Sequence, residues 1–310
     1  MNKRIIITGS DGLIGSAFRR MKVPSNVEFT FLNRSHADLR SFTQTLECFK
    51  SFSPDAIIHL AAKVGGIGAN SSQPGTFFHD NILINTNVLE AARQLKVKKL
   101  VSFLSTCVFP NQTKFPMTGN QLHDGIPHES NFGYAHAKRM LEVQARAYRK
   151  EFGCSFVNVV GTNLYGPNDN FNLKDGHAVA SLIHKIYLAK KNGQPLSVWG
   201  TGKPLREFVF ADDVAKITYW ALENYDDEEP LMMSSGVESS IKDLVGVIAD
   251  KFNFKEKIIW DDSKQDGQLR KPSDDSKLKK LYPDMKFTNL AQGIEKTVAW
   301  FEEHYPNIRN

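Results

Sequence analysis

The first half of the chain alternates short apolar runs with longer amphipathic stretches. The apolar runs have the length and character of buried strands and cover residues 5–7, 28–32, 56–60, 100–103 and 156–160. Between them, apolar positions recur at helical spacing over residues 13–21, 42–52, 82–95 and 134–152. This alternation predicts an α/β fold, a doubly wound parallel sheet covered by helices on both faces.

The pattern changes after about residue 165. Glycine, proline, asparagine and aspartate cluster over residues 165–170, a further helix is predicted over 176–191, and the later elements are less regular. We therefore expect residues 1–165 to form the sheet domain. Residues 166–310 are expected to form mainly a smaller C-terminal α/β lobe, with some of its segments returning to the sheet.

The composition is that of an ordinary globular protein, with 41% hydrophobic and 24% charged residues in a chain of 310. The net charge of +5 arises from basic residues interspersed with acidic ones, which argues against nucleic acid and fits a small anionic substrate. The chain has no apolar run of membrane-spanning length and enters a strand almost at once, so we expect neither a membrane partner nor a removable signal peptide. Three cysteines, Cys48, Cys107 and Cys154, are too few for a disulfide framework and predict a reducing, cytoplasmic location.

A glycine-rich turn, TGSDGLIG at residues 8–15, joins the first predicted strand to the first predicted helix. Gly9 and Gly12 allow a tight turn close to a pyrophosphate, Gly15 allows close helix packing, and the helix N-terminus offers amide donors. An ordinary glycine turn is the alternative, but the strand before and the helix after favour a Rossmann-type dinucleotide-binding domain. The candidate cofactor-binding residues of the turn are Gly9, Ser10, Asp11, Gly12, Leu13, Ile14 and Gly15.

The end of the second predicted strand indicates which nicotinamide cofactor is used. Proteins that prefer NAD usually place an acidic residue there for the ribose 2′-hydroxyl, whereas this strand ends in Asn33 and Arg34. Arg34 can bind a 2′-phosphate through its guanidinium fork, although an exposed loop arginine is the alternative. We therefore predict NADPH/NADP, with Asp38, just before Leu39, placed to address the adenine.

Tyr134 and Lys138 lie four residues apart, so on a helix they share one face. A nearby ammonium favours the phenolate, which suits proton transfer at a carbonyl during hydride exchange. The spacing is a weak signal alone, but the glycine turn precedes it and Ser105 follows a predicted strand. Ser105, Tyr134 and Lys138 are therefore candidate catalytic residues, although Ser105 could simply bond a strand-end amide.

Five runs, in order over nearly the whole chain, resemble the extended short-chain dehydrogenases/reductases. They are AAKVGGI at 61–67, STCVFP at 105–110, SNFGYAHAKR at 130–139, TNLYGP at 162–167 with DNF at 169–171, and VWGTGKPLREF at 198–208. The first two are most similar to the branch that acts on GDP-4-keto-6-deoxy-D-mannose. The resemblance implies 3,5-epimerisation followed by NADPH-dependent reduction of the C4 ketone, a GDP-4-keto-6-deoxy-sugar as substrate, and a homodimer formed through helices 82–95 and 134–152.

The resemblance also implies roles for individual side chains. Cys107 and His177 would be the base and the acid that invert C3 and C5 in turn, Ser105 and Tyr134 would hold the enolate oxygen, and Tyr134 would protonate the reduced oxygen. Lys138 would tune Tyr134 and bind the nicotinamide ribose. Judged without the family, a cysteine beside a strand is usually a small buried hydrophobe, and an arbitrary histidine is more often structural.

Further contacts follow from the same resemblance, and none of them is a metal ligand. Besides Arg34 and Asp38 at the end of the second strand, the implied cofactor contacts outside the glycine turn are Leu39, Lys138, Thr162, Asn163, Leu164 and His177. The implied contacts of the C-terminal lobe with the GDP-sugar are Lys185, Trp199, Arg206, Asp266 and Lys271. Each of the latter could instead be an ordinary surface or packing residue, and relatives often carry arginine in place of Lys185.

Several alternatives remain. Related nucleotide-sugar dehydratases carry an acid pair where Cys107 and Val108 stand, and related 4-epimerases lack the cysteine–histidine pair, so both activities are disfavoured. Two close alternatives remain: an enzyme of the colitose type, whose substrate lacks the 3-hydroxyl, and another nucleotide-sugar 4-ketoreductase. An NADPH sensor or a scaffold on the same fold is a distant possibility, because neither needs a proton-transfer set. His59, inside an apolar strand, is predicted to be a satisfied core residue.

Overall fold

The computed structural model describes residues 2–264 and 266–309 of the chain. Its strands are β1 (Lys3–Thr8), β2 (Val27–Leu32), β3 (Ala56–His59), β4 (Lys99–Ser105), β5 (Ser155–Gly161), β6 (Asn163–Tyr165), β7 (Leu196–Trp199), β8 (Leu205–Phe210), β9 (Leu231–Met233), β10 (Glu238–Ser240) and β11 (Ile258–Asp261). Its α-helices are α1 (Leu13–Arg20), α2 (Phe42–Phe52), α3 (Ile67–Ser72), α4 (Pro74–Gln94), α5 (Phe132–Phe152), α6 (Ala178–Asn192), α7 (Ala211–Asn224), α8 (Ile241–Lys251), α9 (Ser276–Leu281) and α10 (Leu290–His304).

The centre of the fold is a parallel six-stranded sheet with the strand order β2-β1-β3-β4-β5-β9. The chain moves outward from β1 to β2 and then returns to place β3 on the other side of β1. A parallel sheet with such a reversal opens a crevice beyond the carboxyl ends of its strands, where ligands of these folds bind. The predicted doubly wound parallel sheet is therefore confirmed.

Helices cover both faces of this sheet because successive strand residues point to opposite sides. On one face, Ile5 and Ile7 of β1 pack with Phe18 of α1 and with α7. On the other face, Ile6 packs in a cluster that includes Leu141 of α5 and residues of α2 and α4. A strand buried on both faces reads as a continuous apolar run, which explains why these strands were recognisable in the sequence.

Helix α4 begins at Pro74, so the prediction of a helix start at residue 82 is wrong. The missed residues 74–81 begin with a proline and a glycine and end with His79, Asp80 and Asn81, and this composition hid the helical pattern. Asn81 bonds the main chain of Lys63 and Phe77, and the side chain of Asn85 bonds His59. Hydrogen bonding allows these amides to be buried, so the helix continues where polarity suggested a loop.

The later part of the chain builds a second hydrophobic core around α6, α8 and α10. Two small sheets belong to this part, one with the order β10-β8-β6 and one pairing β11 with β7. Two other late elements contribute to the first part: β9 is the sixth strand of the main sheet, and α7 packs against α1. None of the helices in the described part of the chain combines the length and apolar character that crossing a bilayer requires.

Candidate active site

A cavity of about 1020 Å³ lies at the carboxyl ends of β1 to β5 and reaches the start of α6. This is the position that the strand order predicts for a ligand. The cavity contains the glycine turn, all five candidate catalytic residues and one candidate substrate contact. The predicted site residues that line it are Gly9, Asp11, Gly12, Leu13, Ile14, Gly15, Arg34, Asp38, Leu39, Ser105, Cys107, Tyr134, Lys138, Thr162, Asn163, Leu164, His177 and Lys271.

The glycine turn has the geometry of a phosphate cradle. Gly9 has φ +67°, and a Cβ there would lie 2.7 Å from the backbone of Ala61, so neither its conformation nor its surroundings admit a side chain. Gly12 caps α1 without a side-chain hydrogen bond, and the first turn of the helix carries no acidic residue. The helix N-terminus is thus available to an anion, and the turn fits a pyrophosphate.

Two neighbours fix the shape of this turn. A Cβ on Gly15 would lie 2.5 Å from the backbone of Ser10, so only glycine allows the helix to pack this closely. The Ser10 side chain is itself buried, accepts a hydrogen bond of 3.2 Å from Arg19 and does not line the cavity. The main-chain N–H of Ser10 also donates a hydrogen bond of 3.1 Å to the Leu32 carbonyl oxygen, so Ser10 stabilises the turn and does not face the cavity.

The far end of the cavity, next to the end of β2, is rich in arginine. Arg34 and Arg40 both line it. The carboxylate of Asp38 accepts hydrogen bonds from Arg40 Nε at 3.0 Å and Nη2 at 2.8 Å. The hydrogen bonds from Arg40 lower the pKa of Asp38 to about 2, and the charge of Arg34 acts in the same direction. Arg40 thus engages the acid, and Arg34 lines the same end of the cavity.

Tyr134 and Lys138 lie one turn apart on α5 and both face the cavity. Lys138, only 2% exposed, donates a hydrogen bond of 2.9 Å to the Phe103 carbonyl oxygen on β4. Burial lowers the pKa of Lys138 to about 8. Burial also raises the pKa of Tyr134, with a contribution from Cys107, and only a hydrogen bond with Ser105 opposes the rise.

The direction of the Tyr134 pKa differs from what the spacing led us to expect. We expected the ammonium of Lys138 to favour the phenolate, but desolvation of the phenol dominates its pKa, and Lys138 is not among the groups that lower it. The tyrosine is therefore protonated at neutral pH. A neutral phenol is a hydrogen-bond donor and a source of a proton, which suits stabilising and protonating a developing oxyanion.

Ser105 and Cys107 meet at the end of β4, where the chain enters a short 3₁₀ turn over Thr106–Val108. The Ser105 Oγ lies 2.7 Å from the Cys107 Sγ. Burial raises the pKa of Cys107, while the hydrogen bond with Ser105 and the charges of Lys271 and Lys138 lower it. Lys271 reaches this point from the C-terminal lobe and donates a hydrogen bond of 2.9 Å to the Thr106 carbonyl oxygen.

His177 immediately precedes α6 and lines the same cavity. Its Nδ1 lies 2.7 Å from Oδ1 of Asp169, whose side chain is fully buried. The hydrogen bond and charge of Asp169 raise the pKa of His177, against burial and the charge of Arg309. A cysteine and a histidine thus occupy one cavity, with a serine and a tyrosine beside the cysteine.

Three side-chain oxygens in the cavity lining support the view that a polar ligand binds here. They are Asn70 Oδ1, Asn131 Oδ1 and Thr162 Oγ1, and each is buried without a hydrogen-bond partner in the part of the chain that the structure describes. Buried polar atoms normally have partners. A dinucleotide with its ribose hydroxyls, phosphates and carboxamide offers donors for such atoms, so the residues present fit this cofactor.

Four of the five predicted substrate contacts lie together outside the cavity lining. Arg206 Nη1 donates to the carbonyl oxygens of Leu205 at 2.7 Å and Gln268 at 2.8 Å, and Asp266 accepts hydrogen bonds from Thr201. Trp199 is 72% exposed as a residue, and the Lys185 ammonium lies 5.9 Å from its ring centroid. Burial lowers the pKa of Lys271, and the charge of Arg206 acts in the same direction, which places Arg206 near this cavity residue.

Several cavity residues were not identified from the sequence. Residues 60–66 follow β3 directly; most of them were noted only as part of a matching run, and the rule that ligands bind beyond strand carboxyl ends could have identified them as site residues. No sequence motif identifies Arg309 as a site residue, because only the tertiary fold brings it to the cavity. Its carbonyl oxygen accepts a hydrogen bond of 2.8 Å from Phe171, and its Nη1 lies 4.0 Å from where a Cβ on Gly12 would be.

The chain is similar to known proteins over nearly its whole length. Residues 5–233 match the NAD dependent epimerase/dehydratase family. A GDP-L-fucose synthase of Dictyostelium discoideum is 44% identical over 99% of this chain and 98% of its own length. The GDP-L-fucose synthase of Escherichia coli (strain K12) is 32% identical over 99% of both. A solved GDP-L-fucose synthetase from Naegleria fowleri bound to NADP is 39% identical, with a TM-score of 0.95 over 99% of this chain and 95% of that one.

Proposed function

The chain belongs to the NAD dependent epimerase/dehydratase family, and from this premise we propose that it converts GDP-4-keto-6-deoxy-D-mannose to GDP-L-fucose. The reaction is epimerisation at C3 and C5 followed by NADPH-dependent reduction of the C4 ketone. The observation that carries the proposal is one cavity that holds the glycine turn, the Ser105–Tyr134–Lys138 set and the Cys107–His177 pair. The full-length relatives named GDP-L-fucose synthase support the choice of product.

Epimerisation starts from the acidity of the hydrogens next to the ketone. Cys107 as thiolate removes the proton from C3 or C5 on one face, and the electron pair moves onto the C4 oxygen as an enolate. His177 as imidazolium then delivers a proton to the same carbon on the opposite face, which inverts the centre and restores the ketone. Each inversion leaves the substrate with the same number of atoms and electrons, and transfers one proton from His177 to Cys107 overall.

The enolate oxygen needs hydrogen-bond donors that are in place before the charge develops. Ser105 and Tyr134 are the donors in this cavity. A serine hydroxyl is neutral at physiological pH, and burial keeps the pKa of Tyr134 high, so its phenol is neutral as well. The charges of Lys138 and Lys271 favour the Cys107 thiolate against the opposing effect of its burial. The two hydrogen-bond donors and the two lysines that favour the thiolate therefore act around one carbonyl oxygen.

Reduction uses the same carbonyl. NADPH supplies the hydride for C4 when it is bound, and Tyr134 gives its proton to the oxygen. Lys138, held by the Phe103 carbonyl, has a pKa near 8 and can pass a proton on to the phenolate that remains. The glycine turn is suited to the pyrophosphate of the cofactor and Arg34 to its 2′-phosphate.

The GDP part of the substrate is assigned to the C-terminal lobe. Lys271 reaches into the cavity, Arg206 lies close behind it, and Trp199 offers an exposed aromatic surface with Lys185 beside it. Asp266, in the loop that precedes Lys271, completes the group. We further propose a homodimer, supported by the exposed apolar side chains of Phe78 on α4 and Met140 and Phe152 on α5, and a cytoplasmic location, supported by three free cysteines.

The experiment that tests this function is an assay with GDP-4-keto-6-deoxy-D-mannose and NADPH, followed by stereochemical analysis of the product. GDP-L-fucose supports both epimerisation and reduction. GDP-D-rhamnose would mean a 4-ketoreductase that does not epimerise, and would remove Cys107 and His177 from the mechanism. No turnover despite tight NADPH binding would favour the substrate without a 3-hydroxyl, of the colitose type, and, failing that, the sensor.

A further inference from the structure

Asp169 is a carboxylate with no exposure to solvent next to the candidate acid of the site. Its Oδ1 lies 2.7 Å from His177 Nδ1 and also accepts a hydrogen bond of 2.7 Å from the main-chain nitrogen of Asn170. Its Oδ2 is buried and has no hydrogen-bond partner within residues 2–264 and 266–309. Burying a carboxylate with one oxygen unpaired costs stability, so this residue calls for an explanation beyond packing.

The surroundings of His177, apart from Asp169, disfavour a charged imidazole. The residue caps the N-terminus of α6, where the helix dipole presents partial positive charge, and α6 has no acidic residue in its first turn. The guanidinium of Arg309 adds a further positive charge on this side. The ammonium groups of Lys138 and Lys271, both close enough to Cys107 to lower its pKa, line the same cavity. Asp169 is the anion in direct contact with the ring.

We propose that Asp169 is a positioning residue that holds His177 as an imidazolium with Nε2 directed towards the sugar. The inference rests on the proposed function, since it specifies how His177 can be the acid for C3 and C5. Nδ1 is occupied by the carboxylate, so the proton that is transferred leaves from Nε2. When it leaves, the Nδ1 proton stays with Asp169, and the ring keeps its orientation and a single tautomer.

This arrangement answers a requirement of the double inversion. His177 gives up a proton at the first carbon and must regain one before it acts at the second. The His177 side chain is 43% exposed, so solvent can return a proton to Nε2 while Asp169 holds the other nitrogen. The fixed tautomer ensures that the new proton arrives at the atom that faces the sugar. The raised pKa of His177 agrees with this role.

The test is Asp169→Asn, which keeps the size of the side chain and removes its charge. Titration of the His177 ring by NMR is expected to show its pKa falling by about one pH unit or more. Exchange of the C3 and C5 hydrogens with deuterated solvent is expected to fall about tenfold or more at pH 8, because one pH unit corresponds to a tenfold loss of imidazolium. The alkaline limb of the pH profile of exchange moves to lower pH. Reduction of the substrate that is already epimerised, supplied directly, stays within about twofold of wild type.

Asp213→Asn is the matched control. Asp213 is also fully buried, but it lies on α7 outside the cavity and bonds the main chain of Thr288. Its loss is expected to lower the thermal midpoint without changing the pKa of His177 or the exchange rate. If Asp169→Asn does not fold, Asp169→Glu retains the charge one methylene away, and a pKa of His177 still above that of a free histidine supports the proposal.

Two results would overturn the inference. One is a His177 pKa in Asp169→Asn that equals the wild-type value, and the other is an equal fall in exchange and in reduction, which would mark a general loss of structure. A wild-type protein that shows no exchange at C3 or C5 would contradict the proposed function instead. In that case the titration alone still decides whether Asp169 controls the charge of His177.

Discussion

The Ser105 hydroxyl lies 2.7 Å from the Cys107 thiol, so a residue of the carbonyl-binding set touches the proposed base of the epimerisation. The contact means that the two half-reactions share a side chain as well as a cavity. Ser105 can donate to the enolate or to the thiolate, and its hydrogen bond lowers the pKa of Cys107. Ser105→Ala is therefore expected to slow both C3/C5 exchange and C4 reduction, each by about tenfold to a thousandfold. Exchange measured in deuterated solvent and NADPH oxidation report the two steps separately, and loss of only one would separate Ser105 from the other.

Tyr134→Phe removes the proposed donor to the C4 oxygen. We expect NADPH oxidation to fall by about a hundredfold or more, the usual contribution of a positioned proton donor. The affinity for NADPH, measured by fluorescence titration, should stay close to wild type. Tyr148→Phe on the same helix is the control, because its hydroxyl bonds Glu90 outside the cavity. Normal turnover by Tyr134→Phe would contradict the reductase mechanism.

Lys271→Met should change the pH dependence of epimerisation. The positive charge of Lys271 lowers the pKa of Cys107, so its removal raises that pKa. The thiolate then forms only at higher pH, and the acid limb of the exchange profile moves to higher pH by about half a unit to one unit. Lys271→Arg, which keeps the charge, should restore most of the profile. An unchanged acid limb in Lys271→Met would show that this lysine does not assist the thiolate.

Arg34→Gln tests the choice of cofactor. Losing a charged hydrogen-bond donor to the 2′-phosphate should weaken NADPH binding by about 1.5–3 kcal/mol, or roughly tenfold to a hundredfold in Kd. Binding of NADH, which lacks that phosphate, should hardly change. Arg146→Gln, on α5 and outside the cavity, is the control for loss of a positive charge. Equal weakening of NADH and NADPH would place Arg34 away from the 2′-phosphate.

The sequence predicted the architecture where one local pattern dominates. Buried parallel strands read as continuous apolar runs, and the glycine turn between β1 and α1 is identified by its flanking elements. The start of α4 was missed because the helix opens with Pro74 and Gly75 and because Asn81, a polar residue, is buried on its inner face by hydrogen bonding. His59 was correctly expected in the core, where it bonds Thr8 at 2.9 Å.

The site was less predictable because part of it is assembled by tertiary structure. Arg309 and Lys271 reach the cavity from distant parts of the chain. Neither the glycine turn nor the helical periodicity of the sequence predicts which residues they contact. The direction of the Tyr134 pKa depends on burial, which spacing along a helix does not report. The roles of Cys107 and His177 were inferred from the family resemblance and not from the sequence pattern. Asp169, the partner of His177, was noted only as part of a matching run and not as a site residue.

The central claim is that one cavity performs both the double epimerisation and the reduction, with Cys107 as the base. The most direct test is to run the reaction with NADPH in deuterated water and to locate deuterium in the product by NMR, for wild type, Cys107→Ser and the matched Cys154→Ser. Wild type and Cys154→Ser should give GDP-L-fucose with deuterium at C3 and C5 and hydrogen from NADPH at C4, whereas Cys107→Ser should lose most of the deuterium and still reduce the ketone. A wild-type product without deuterium at C3 and C5, or full labelling by Cys107→Ser, would contradict it.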